Sequence, residues 1–379
     1  MTSPSEGAVD LPKPAVLWLT NVASPYRKPV WASLAQYCDL TVGLVEPPSH
    51  TIREGRRGDD WVTTSSEAYR VVDLDTVRVA RGENARYVLR SFKGLPRRMP
   101  ARVVLAGWDQ PAYWQVLGRA RSTGSRTVGF YESTRATHRH RRGPIAAVRS
   151  AYFRSLDAVV VPGEAATDAL VSMGVSRSRI VEGFNAVDVE FFHSQTNQER
   201  RLRGGSASNT VDFDFIYVGQ FIERKNLESL LDALREVPEA RLLLVGSGAH
   251  RTVLEERVLA WGLEHRVFFH PPVENRELPR LFARSRTLVL PSTEEVWGLV
   301  VNEGLAAGLS AIVSSAAGVA PSVVGMRGVL VADPHSAGLA RAMRESLAAS
   351  EAPIKSPEIL RHTPVAFARQ FARALELVQ

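Results

Sequence analysis

Two carboxylates eight residues apart, Glu295 and Glu303, frame the stretch Pro291-Ser-Thr-Glu-Glu-Val-Trp-Gly-Leu-Val-Val-Asn-Glu-Gly-Leu-Ala-Ala-Gly308. The apolar run Thr287 to Leu290 before it reads as a buried strand. Pro291, Ser292 and Thr293 end that strand. From Leu299 onward, Leu299, Val300, Glu303, Ala306 and Ala307 recur at helical steps, so a helix is expected to start there. Gly298 stands just before it, where no side chain keeps a ligand from the backbone. The unpaired N–H groups and the dipole of a helix start favour an anion. A phosphate there, with carboxylates on either side to accept hydrogen bonds from hydroxyls, suits a sugar nucleotide.

The elements that must hold this stretch follow a βα rhythm. Ala15–Thr20 is an apolar run typical of a strand buried on both faces of a parallel sheet. The loop from Asn21 to Arg27, a helix with Val30, Leu34 and Tyr37 inward, and a strand over 39–45 complete a doubly wound start. In such folds ligands sit in the loops after the carboxyl ends of strands, which makes Tyr26 and Arg27 cleft residues. Further strands are expected over 101–106, ending in Gly107-Trp108-Asp109, over 126–131, running into Glu132-Ser133-Thr134, and over 157–162. Residues 46–68 read as a long loop, and 193–210, polar and Gly/Ser-rich, as a linker. The rhythm restarts at 213–218, continues through strands at 241–245, 266–269, 287–290, 310–313 and 328–331, and ends in an amphipathic helix near 364–378.

The expected organisation is a polar tail over 1–14, a first domain over 15–192, the linker, a second domain over 211–350 and a terminal segment over 351–379. A chain of 379 residues is long enough for two such cores. One cysteine, Cys38, leaves no internal disulfide and fits a reducing, cytoplasmic setting. No apolar run reaches the length of a membrane span.

The net charge of +7 is unevenly placed: residues 1–192 hold 26 Lys and Arg against 19 Asp and Glu, and the remainder 21 of each. A basic half beside a neutral half implies an acidic partner: a phosphate-bearing substrate or an anionic membrane surface. The run Arg135-Ala-Thr-His-Arg-His-Arg-Arg142 concentrates that charge at a strand end. A stacking-aromatic module of the RNA-binding type is missing, which argues against nucleic acid. His138 and His140 lack neighbouring acidic or thiol ligands, and Asp212-Phe-Asp214 sits at the wrong end of its strand, so no metal or cofactor is expected. Gly246-Ser-Gly248 lacks the third glycine of a dinucleotide fingerprint, with Arg251 in its place.

The Glu295-x7-Glu303 pair with Trp297-Gly-Leu299 resembles the motif of retaining glycosyltransferases of family 4, which have the GT-B fold: α/β, two Rossmann-like doubly wound domains facing a cleft, with the last helix packing back on the first. The segment Val218-Gly-Gln-Phe-Ile-Glu-Arg-Lys225 is similar to the family's loop for the donor diphosphate. Leu244-Val-Gly-Ser-Gly248, Asn185-Ala-Val-Asp188 and the Gly318 turn fall in family order. The Asn21–Arg27 loop and Gly107-Trp108 are similar to a subgroup that builds bacterial surface glycans.

The resemblance implies a hexose-type transfer from a nucleoside diphosphate sugar to a hydroxyl acceptor, lipid-linked or a surface-glycan intermediate, by a peripheral enzyme at the inner face of the plasma membrane. It implies that Glu303 binds the ribose, Glu295 a sugar hydroxyl, Lys225 the diphosphate, and the backbone around Gly298, Leu299 and Val300 the distal phosphate. Gln220, Arg224 and Gly246 complete the implied donor site. Glu132, Lys225 and Glu295 are its implied catalytic groups, with Tyr26, Arg27 and Trp108 on the acceptor side. Two positions depart from the family: Gln220 stands where an arginine is usual, with Arg224 nearby, and Glu132 where many relatives carry a histidine. Three other readings remain: a nucleotide-sugar epimerase of the same architecture, a non-catalytic scaffold, and a membrane-surface binding protein.

Overall fold

The computed structural model describes residues 12–46, 66–79, 85–204, 211–349 and 353–379. Most of the 1–14 tail and of the 46–68 loop falls outside them. The chain forms two compact units, one of residues 1–130, 156–158 and 371–379, the other of residues 131–155 and 159–370.

Among the described residues, nine strands precede residue 190: β1 Ala15–Thr20, β2 Asp39–Leu44, β3 Arg70–Asp73, β4 Thr76–Arg78, β5 Tyr87–Leu89, β6 Arg102–Leu105, β7 Arg126–Phe130, β8 Ala158–Val161 and β9 Ile180–Glu182. Seven form a sheet in the order β3-β2-β1-β6-β7-β8-β9, while β4 and β5 pair separately as an antiparallel hairpin. The registers β1–β2, β1–β6, β2–β3 and β6–β7 are parallel. The order turns at β1, which pairs with both β2 and β6.

The apolar runs explain the central strands, since β1 buries Val16 to Leu19 and β8 all four of its residues. The sequence pattern misses β3, β9 and the hairpin. They are three or four residues long, and β3 has exposed ends, so no apolar periodicity marks them.

The second sheet is six-stranded and parallel, in the order β12-β11-β10-β13-β14-β15. Its strands are β10 Phe213–Val218, β11 Leu242–Val245, β12 Val267–His270, β13 Ser285–Leu290, β14 Ser310–Ser314 and β15 Val329–Ala332. The Leu227–Arg235 and Ser336–Ala348 helices pack in its core through Leu230, Leu231, Leu234, Leu339 and Met343.

The expected linker is a helix over its first ten residues, because Val189–Leu202 is helical. Asp188 caps it by accepting from the Phe191 N–H at 3.0 Å, and Phe192 and Thr196 give it a buried face. Composition hid that face, which needs few apolar residues when they fall one turn apart.

The last helix is Pro364–Ala374, and its residues from Phe371 on belong to the first unit. The Phe371 ring lies 4.5 Å from Trp18 and 5.5 Å from Phe130. Arg102 and Arg126 donate to the carbonyls of Leu375 and Ala374, each at 2.7 Å, satisfying acceptors that a helix end leaves unpaired.

Candidate functional site

In the second sheet the strand order turns between β10 and β13, which pair directly. The loops after their carboxyl ends, 219–226 and 291–298, therefore leave the sheet side by side, where ligands bind in doubly wound folds. Hydrogen bonds join them, and Asn226 also ties in the Pro334 carbonyl. Thr293 donates its N–H to the Arg224 carbonyl at 2.9 Å, and the Asn226 side chain donates to Pro291 O at 3.0 Å and Pro334 O at 2.7 Å. Asn226 holds a left-handed backbone at φ 57°, which asparagine tolerates better than most residues.

This junction brings Lys225 onto Glu295 as an ion pair, with side chains 14% and 12% exposed. A charged pair so far from bulk water is weakly screened. Ser292 Oγ stands 3.5 Å from the same carboxylate. Arg224 is exposed and reaches Glu294 O at 3.4 Å, while Gln220 is exposed and uses its carbonyl to accept from Tyr217 Oη at 2.8 Å.

Gly298 caps the Leu299–Ala306 helix at φ 101°, and an added Cβ would lie 2.6 Å from Leu290 Cδ2. Glycine is needed there on both counts. The N–H of Val301 already bonds Gly298 O at 2.9 Å, so the earlier N–H groups of Leu299 and Val300 are those a helix start leaves for an anion.

One turn on, Glu303 is 3% exposed. Among the described residues, no donor is hydrogen-bonded to its carboxylate. Burial alone pushes its pKa up to about 8. A buried acid without a protein donor is costly to keep, and donors from a ligand would satisfy it.

Gly246 has a packing role that sequence did not suggest. A Cβ would meet Gly219 O at 1.9 Å, and its N–H is committed to His270 O at 3.0 Å, leaving that N–H no capacity for a donor phosphate.

Glu132 follows β7 and belongs to the same unit as Glu295 and Glu303. Its Oε1 accepts from Asn185 Nδ2 at 2.9 Å. Two residues beyond, Thr134 lies against Gly318, whose N–H bonds Glu295 O at 3.0 Å. His138 bonds the Tyr131 hydroxyl, and Arg149 Nη2 lies 3.3 Å from its Nδ1. Burial first, then Arg149, Arg141 and Arg135, push the His138 pKa down to about 4. Among the described residues no cluster of three or more His, Cys, Asp or Glu could hold a metal ion. Asp212 serves ion pairs with Arg203 and Arg284 at 2.8 and 2.6 Å.

Sequence reasoning assigned no role to Asn226, Asn302 or the Trp297 indole N–H. Asn302 offered the one available signal, an amide beside Glu303 on a helix whose remaining residues are apolar or glycine.

In the first unit, Tyr26 and Arg27 follow β1 and Trp108 follows β6, and these strands pair at that sheet's own turning point. Arg27 is not solvated: it is 8% exposed with its guanidinium 4.4 Å from the Phe130 ring centre. The Tyr113 hydroxyl donates to Asn21 Oδ1 at 2.8 Å, and its ring lies where a Cβ on Gly107 would be, at 2.3 Å. Trp114 Nε1 donates to Trp108 O at 2.8 Å.

Two Rossmann-like parallel sheets, with paired and buried charges at the turning point of the second, define an α/β protein of the GT-B fold. The comparisons agree. Residues 198–360 match the family model described as glycosyl transferases group 1.

Sulfoquinovosyl transferase SQD2 of Arabidopsis thaliana is 30% identical over 45% of this chain and 33% of its own length. O-antigen chain mannosyltransferase B of Escherichia coli is 36% identical over 32% of each. The chain thus matches about a third of the length of these two relatives. The Anabaena HepE structure in complex with UDP superposes with a TM-score of 0.70 at 16% identity, covering 97% of this chain and 100% of that one. A putative UDP-N-acetylglucosamine 2-epimerase from Listeria monocytogenes gives 0.58 at 13% identity, covering 96% of each. Among the described residues no helix is long and apolar enough to cross a membrane.

Proposed function

We propose that this protein is a retaining glycosyltransferase that moves a hexose-type sugar from a nucleoside diphosphate sugar to a hydroxyl of a lipid-linked or surface-glycan intermediate. The observation that carries the proposal is Glu303, a buried carboxylate with no hydrogen-bonded donor among the described residues, one turn into a helix whose start is open to phosphate. Two ribose hydroxyls supply the donors that this carboxylate lacks. The diphosphate lies against the N–H groups of Leu299 and Val300 and against Lys225, displacing part of its pairing with Glu295. Glu295 then turns to a sugar hydroxyl, and Glu132 faces the sugar from the loop after β7.

The bond from the anomeric carbon to the diphosphate oxygen breaks, and a bond from that carbon to the acceptor oxygen forms on the same face. The acceptor proton passes to the leaving phosphate oxygen, so no protein nucleophile is needed. The protein contributes position and charge stabilisation. The excess positive charge of residues 1–192 supports an acceptor at an anionic membrane surface. The names of the Arabidopsis and E. coli relatives, and the UDP in the Anabaena structure, support the class of reaction and donor.

A thermal-shift series with UDP, GDP and ADP tests the site. One of them at a hundred times its Kd is expected to add about 2.7 kcal/mol of stability. No shift with any of the three sinks the proposal. Product analysis with the matching sugar donor then separates free nucleoside diphosphate, expected for transfer or slow hydrolysis, from an epimerised nucleotide sugar, which identifies the epimerase reading.

A further inference from the structure

We infer that Asn302 and Asn185 are positioning residues that hold the Glu132 carboxylate and tie it mechanically to the helix carrying Glu303. The inference rests on the proposed donor site and adds how its two ends communicate.

Asn302 is fully buried. A buried amide on a helix is unfavourable unless its polar atoms are used. Here Nδ2 donates to the Asn185 carbonyl at 2.6 Å, and Oδ1 accepts from the Trp297 indole N–H at 3.1 Å. Because Trp297 can only donate, it fixes which end of the Asn302 amide points to Asn185. The indole is itself wedged. It meets Phe184 edge-on with ring centres 5.1 Å apart, and it occupies the space where a Cβ on Gly163 would lie 2.9 Å from Cζ3.

Asn185, 1% exposed, receives Asn302 on its carbonyl and passes its own side-chain N–H to Glu132 Oε1 at 2.9 Å. Two direct hydrogen bonds therefore lead from the residue beside Glu303 to Glu132, with the relay residues Asn302 and Asn185 buried. A leucine at 302 would match the apolar Val301 and Leu305 of the same helix but would break this connection. Ribose binding at Glu303 shifts or stiffens the Leu299–Ala306 helix, and the relay carries that change to the group facing the sugar. The donor's nucleotide end then sets the geometry at its reacting end.

Hydrogen–deuterium exchange on the full chain reads this directly. Without ligand, Asn302→Leu is expected to raise exchange of amides in 131–137 about tenfold, the loss of roughly one buried hydrogen bond. In the wild type, whichever of UDP, GDP or ADP binds protects both the 299–306 helix and 131–137. In the variant it protects the helix alone, at a nucleotide Kd within about twofold of wild type, since no nucleotide contact is removed. Turnover of the matching sugar donor falls about tenfold with KM unchanged, and combining Asn302→Leu with Glu132→Gln costs no more than the larger single effect. Trp297→Phe, a milder change that frees the amide to flip, gives the same pattern at smaller size and serves if the leucine variant does not fold.

Unchanged exchange in 131–137, or a loss of nucleotide affinity equal to the loss of turnover, overturns the inference. If the wild type binds none of the three nucleotides, the proposed function fails instead, while the ligand-free exchange comparison still decides whether the relay positions Glu132.

Discussion

The loops after β1 and β6 and the loops after β10 and β13 hold equivalent places, each pair at the turning point of a parallel sheet, yet they are built differently. In the first unit the groups are aromatic and already engaged. Arg27 lies over Phe130, Tyr113 fills the space beside Gly107 and bonds Asn21, and Trp108 accepts from Trp114. In the second unit the groups are charged. Lys225 and Glu295 neutralise each other, and among the described residues no donor is hydrogen-bonded to Glu303. One turning point is shaped by packing. The other keeps electrostatic capacity in reserve, which a phosphate and a set of hydroxyls would use.

The sharpest way to break this contrast is to remove the reserve. Glu303→Ala is expected to cost about one to four powers of ten in nucleotide-donor use, the value of one or two charge-assisted hydrogen bonds. Donor kinetics and nucleoside diphosphate titrations measure it. An unchanged Kd would mean that Glu303 is a structural acid and that the two turning points differ only in composition.

A smaller effect comes from pH. Burial raises the Glu303 pKa from an ordinary 4.5 to about 8, so the folded state holds a proton that the unfolded chain has lost. The favourable contribution of the protonated form is complete below about pH 4.5 and is lost as pH rises through about 8. The Tm of Glu303→Gln should therefore gain on that of the wild type across this window. Hydroxyl donors favour the ionised carboxylate, so nucleotide affinity should rise with pH over the same range in the wild type but not in Glu303→Gln. Parallel pH profiles for the two proteins would remove the argument.

The smallest expected effect on the donor site comes from the first unit. Gly107→Ala drives a methyl group into the Tyr113 ring and should cost about 1–3 kcal/mol of stability, read as a lower Tm. Nucleotide Kd should stay within twofold. A larger change in Kd would show that the two turning points are not energetically separate.

Much of this was legible in the residues. The central strands announced themselves as apolar runs, and the Leu299–Ala306 helix began where Gly298 required. The family resemblance grouped Lys225 with Glu295, and the structure sets these two side chains together across 70 residues of sequence. The Val189–Leu202 helix was hidden because its buried face rests on a few residues one turn apart. The short edge strands carried too little pattern to read. Gly246 looked like a ligand contact, whereas its bareness answers to Gly219 and its N–H to His270.

By itself, then, the sequence determined the central strands and the start of the Leu299–Ala306 helix, because burial and helix starts write themselves in local spacing. Only the tertiary structure decided that Lys225 pairs with Glu295, that Arg27 is buried over an aromatic ring, and that Asn302 reaches Glu132 through Asn185. Those facts depend on which loops the sheet order sets side by side. Hydrogen bonds between residues 53 to 117 positions apart leave no periodic trace along the chain.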